Sequence, residues 1–107
     1  EATRRPRPDM VTCLGGGYVA SGPPSRDKVP LPWLPPGAEL VAEEMCGEVQ
    51  TPVVLRDPSE VALGDPIVFR HAKGGELAER FGEMLLLRGS EVVGSAKTYR
   101  GEGQCFF

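Results

Sequence analysis

No two cysteines are spaced as CxxC, no apolar run approaches the ~20 residues that cross a bilayer, and His71 is the single histidine. Each scarcity closes off a class of protein. Cys13, Cys46 and Cys105 are an odd number without paired spacing, which argues against a disulfide framework or a structural zinc knuckle. They read as reduced, mostly buried thiols of a cytoplasmic protein. No GxxxxGK[ST] run is present, so a nucleotide loop is not expected. Net charge is −3, which gives no electrostatic reason to expect nucleic acid or a membrane surface as partner. No signal peptide is visible.

What the chain has in quantity is glycine and proline, 14 and 11 in 107 residues. That composition favours short strands and many turns over long helices. The length fits one domain with a real core. Residues 1–8 hold Arg4, Arg5 and Arg7 broken by Pro6 and Pro8, and read as a solvated linker running out of a preceding domain. Met10–Leu14 reads as a strand. The glycines 15–17 after it suit a sharp bend or a close backbone approach. Residues 23–37 carry six prolines, which exclude a helix or a central strand. The stretch is expected to be an ordered loop, pinned by Trp33 over the core or an interface. Residues 46–55 read as a strand broken at Pro52, hence an edge or a bulge. Ile67–Arg70 reads as a buried strand. Leu77, Ala78 and Phe81 form a short helical stripe, and Gly82 is placed to end it. Glu83–Arg88 and Glu91–Thr98, joined by Gly89 and Ser90, read as a hairpin. The fold class is therefore mainly β: a small antiparallel or mixed β-barrel or sandwich with one short helix at about residues 75–81.

Candidate chemistry gathers where the strand ending at Arg70 meets the helix. A lone histidine is more often structural than catalytic. His71 nevertheless stands at a strand exit before two glycines, and Lys73 follows at i+2. In an extended segment those two side chains share a face and could line one pocket. A metal would want a carboxylate or thiolate partner, and a protonated lysine is a poor ligand. Further on, Tyr99 and Arg100 lie among the glycines 101 and 103. Arg100 could clamp a carboxylate or phosphate, or could sit in an exposed turn with a local ion pair. Tyr18 is a further polar aromatic at the glycine bend.

Four stretches taken in order carry a resemblance: residues 13–22 (CLGGGYVASG), 47–52 (GEVQTP), 69–81 (FRHAKGGELAERF) and 98–103 (TYRGEG). Together they resemble the C-terminal β-domain of the D-serine dehydratase-like and D-threonine aldolase-like enzymes, the amino acid deaminase/aldolase group. The resemblance covers nearly the whole chain and implies that residues 9–107 are such a domain. It implies a missing N-terminal (β/α)8 barrel that carries pyridoxal phosphate on a lysine. It also implies a homodimer and a small D- or β-hydroxy amino acid as substrate. On this expectation the β-domain completes the active site of a lyase, deaminase, aldolase or racemase and does not catalyse alone. His71 and Lys73 would be catalytic residues, with Tyr99, Arg100 and Tyr18 on the substrate or cofactor. Metal-dependent relatives place His-x-Cys or His-x-Asp at the strand exit. His71 matches the first ligand, but Lys73 stands at the second, so its charge could replace a cation. The alternative is a stand-alone β-barrel interaction module without catalytic activity, held to partners through the Trp33 loop.

Overall fold

The computed structural model describes residues 1–16, 23 and 25–104. These form two compact units, Glu1–Ala72 and Lys73–Phe107, where the length alone suggests one domain. The architecture is mainly β, with antiparallel sheets, as the alternation and turn chemistry imply. No barrel closes among the described residues.

The first unit is built on a four-stranded sheet ordered β1-β2-β5-β4, from Ala2–Arg7, Met10–Leu14, Gln50–Val54 and Glu39–Leu40. β1 corrects the reading of residues 1–8 as a solvated linker. Pro8 and Asp9 make a tight turn, Arg7 lies opposite Met10, and the chain returns along β2. Ala2 is fully buried, and its carbonyl accepts from the Gly64 amide at 2.8 Å. Arg5 donates to the carbonyls of Pro8 and Val61, and Arg7 pairs with Asp9 at 3.1 Å. The basic, proline-containing sequence is that of a sheet edge, where charge and proline block further pairing.

β5 lies between β2 and β4, and Pro52 sits within it opposite Thr12. β4 pairs only Val53 and Val54, so the ladder on that flank ends before Pro52, where the missing N–H could not extend it. Val11, Cys13, Val53, Leu55, Val61 and Ile67 form the core. Burial of such side chains contributes roughly 1.5–3 kcal/mol each.

A second, two-stranded sheet joins β3 (Leu31–Leu34) to β6 (Val68–Arg70). Phe69 packs on the core, so its neighbours Val68 and Arg70 turn outward by the period-2 rule. Of the two places expected for Trp33, the core is the one overturned: the side chain is 58% exposed and is not part of the core cluster. The proline-rich loop thus contributes an edge strand, as Pro32 permits.

The second unit comprises α1 (Gly74–Ala78), β7 (Glu83–Arg88) and β8 (Glu91–Lys97). α1 is one turn shorter than the apolar stripe suggests, because Arg80 already bonds Leu77 in a tighter turn. The hairpin forms as expected, its second strand ending at Lys97, one residue before Thr98, and its Gly89 takes φ +62°, the left-handed value a two-residue turn needs. One extra residue, Val93, bulges between Val92 and Gly94.

Candidate functional site

Within the first unit, a cleft of about 410 Å³ opens beside the β3–β6 sheet. Arg26, Asp27, Val29, Trp33, Arg70 and His71 line it. β6 places Arg70 through simple alternation. With Phe69 anchored inward, Arg70 emerges on the outer face and His71 follows at the strand end. β3 places Trp33 by a bulge. Pro32 pairs with Phe69 and Leu34 with Val68, leaving Trp33 as the unpaired extra residue. Such a bulge re-aims its side chain, and the Trp33 ring comes to lie under Arg70, 5.3 Å from guanidinium carbon to ring centroid. Arg26 and Asp27 come from the turn before β3, where the Ser25 hydroxyl donates to Asp27 Oδ1 at 2.5 Å.

Formal charge on the wall is two arginines against one aspartate, before His71 is counted. No carboxylate lies within ion-pair distance of Arg26 or Arg70 among the described residues. The cleft is thus cationic with an apolar, partly aromatic floor. Such a surface suits a small anion.

The other expected site residues fall elsewhere. His71 belongs to the first unit, and Lys73 opens the second as the residue before α1. Tyr99 and Arg100 are exposed on the second unit, in the turn after β8. The local ion pair considered for Arg100 is not formed among the described residues. What holds that turn is Thr98. Its hydroxyl donates to the Phe81 carbonyl and accepts from the Gly101 amide at 3.2 Å, and the Thr98 amide donates to Gly82 at 3.1 Å. A side chain on Gly101 would collide with the Gly82 carbonyl. The run 98–103 therefore has a clear structural use. Tyr18 and Cys105 lie outside the described residues.

The run 47–52 is structural as well. Thr51 is fully buried; its hydroxyl donates to the Gly15 carbonyl at 2.7 Å and accepts from the Gly47 amide at 3.3 Å. A Cβ on Gly47 would strike the Gln50 carbonyl, so only glycine closes this turn. Cys13 and Cys46 are buried free thiols. Burial raises both, Cys46 to about 11, with a smaller push on Cys46 from Cys13. Neither has the depressed thiolate of a nucleophile.

Among the described residues, no three His, Cys, Asp or Glu side chains cluster as a metal site, and no helix is long and apolar enough to cross a membrane. Arg26 and Asp27 escaped sequence reasoning because no spacing or motif ties residue 26 to residue 70. Arg70 could have been found: alternation from a core Phe69 already sets it on the outer face of the strand. The chain matches no family model, no curated protein and no solved structure.

Proposed function

We propose that the chain is the C-terminal β-domain of a cytoplasmic pyridoxal phosphate-dependent amino acid lyase, deaminase or aldolase, and that its cleft contributes to the substrate side of the active site. The observation that carries this reading is His71 at the exit of β6, on a cationic cleft beside Arg70 and Arg26. The described cleft wall fits an amino acid carboxylate and contains no lysine to hold the cofactor. In this reading the lysine and the phosphate site belong to an N-terminal barrel, and the active protein is a homodimer. Pyridoxal phosphate, when bound, supplies the electron sink for charge developing at the substrate Cα. The present residues bind and orient: Arg70 and Arg26 neutralise the carboxylate, and His71 stands beside it.

Lys73 takes the sequence position where metal-dependent relatives hold a second ligand, so the reading is of a metal-free variant. Elemental analysis of the whole enzyme is expected to find no stoichiometric zinc or manganese. One metal per protomer that is lost in His71→Ala contradicts this part.

The test of the whole reading is spectroscopic. The complete protein, purified with pyridoxal phosphate, is expected to retain a visible cofactor band that changes when D-serine or D-threonine is added. Absence of any retained cofactor overturns it. The second reading, an interaction module, is favoured by the β7–β8 ribbon. Its register sets Leu87 opposite Val92 with Leu85 on the same face, and all three are exposed. A protein that retains no cofactor favours that module.

A further inference from the structure

We propose that Arg70, poised over the Trp33 ring, and Arg26 across the same cleft form a receptor for the carboxylate of a small amino acid. The cation–π contact fixes the position of the Arg70 charge without neutralising it, since a ring face offers no counter-ion. A guanidinium is a planar fork that matches a carboxylate with two parallel N–H bonds, and it stays charged at any physiological pH. Arg26 adds a second fork on the same wall, also without a carboxylate partner among the described residues. The Trp33 ring supplies apolar surface beside these charges.

The charge count selects among anions. With Asp27 in the same lining as Arg26 and Arg70, a carboxylate monoanion meets less repulsion than a phosphate dianion. At about 410 Å³ the cleft is at the small end of ligand sites, which suits an amino acid better than a nucleotide. From the sequence, Arg100 is a candidate clamp for a carboxylate or phosphate, with an exposed turn as the alternative. The structure instead offers Arg70, which a bulge in β3 brings to the only tryptophan of the chain. That the ligand is an amino acid rests on the proposed function; that it is a carboxylate rests on the cleft alone.

Trp33 is its own reporter. The 107-residue chain is titrated with sodium acetate, D-serine and inorganic phosphate at constant ionic strength held with sodium chloride, and Trp33 fluorescence is followed. Acetate and D-serine are expected to give saturating changes, with phosphate requiring higher concentration. Arg70→Gln is expected to weaken binding at least tenfold. Arg70→Lys should weaken it severalfold, because an ammonium lacks the fork. Arg26→Gln leaves the reporter pair intact and is expected to weaken binding about threefold or more. Both arginines are exposed, and circular dichroism checks that the variants fold. A response that does not saturate, that persists unchanged in Arg70→Gln and Arg26→Gln, or that saturates first with phosphate overturns the proposal. Saturation by acetate without D-serine overturns the amino acid assignment. The outcome is separable from the cofactor test, because the titration uses no cofactor and retention of the cofactor band does not depend on these arginines.

Discussion

The Arg70 guanidinium sits over the Trp33 ring, 5.3 Å from its centroid, and neither residue is held by the core. The contact therefore contributes little to stability, about 0.5–1 kcal/mol for an exposed pair. Arg70→Met is expected to shift Trp33 emission while lowering the urea midpoint only slightly. A loss of several kcal/mol in the unfolding curve would show that Arg70 serves the fold instead of the cleft.

Gly47→Ala is expected to do the opposite. The added Cβ meets the Gln50 carbonyl, and relief would break the Gly47–Thr51–Gly15 bonds. Destabilisation of about 2 kcal/mol or more should follow, read from urea unfolding. An unchanged midpoint would mean that the turn adapts freely.

The buried Cys46 thiol makes stability fall at high pH. Its value in the folded protein lies near 11, raised from about 9, mainly by burial. The folded state thus favours the neutral thiol. Its contribution is complete below pH 9 and is lost as pH rises through 11. The loss should be on the order of 1–2 kcal/mol. Cys46→Ala is expected to flatten the pH dependence of the unfolding free energy between pH 9 and 11. An equally steep fall in that variant would assign the effect to another group.

Much of the fold is legible in the residues because it rests on local rules. The β7–β8 hairpin follows from Gly89, Ser90 and the apolar runs beside them, and β2 follows from its β-branched content; β6 forms where a strand is expected, but as Val68–Arg70 with only Phe69 turned to the core instead of a buried Ile67–Arg70. β1 is not legible, because Arg4, Arg5, Pro6 and Arg7 have linker composition; its partners Met10–Leu14 and the carbonyls that Arg5 meets become neighbours only on folding. Trp33 misleads in the same way. Hydrophobicity argues for burial, but the bulge that turns Trp33 toward Arg70 depends on the pairing of β3 with β6. For the site, the strand exit brings out His71 from sequence, and His71 lines the cleft. Arg26 reaches the cleft through a turn that no periodicity announces.

The most direct test of the central claim is the absorption spectrum of the complete protein purified in the presence of pyridoxal phosphate. The expected result is a retained visible band, one cofactor per protomer, that changes on addition of D-serine or D-threonine. A complete protein that retains no cofactor and shows no response to either amino acid would contradict it.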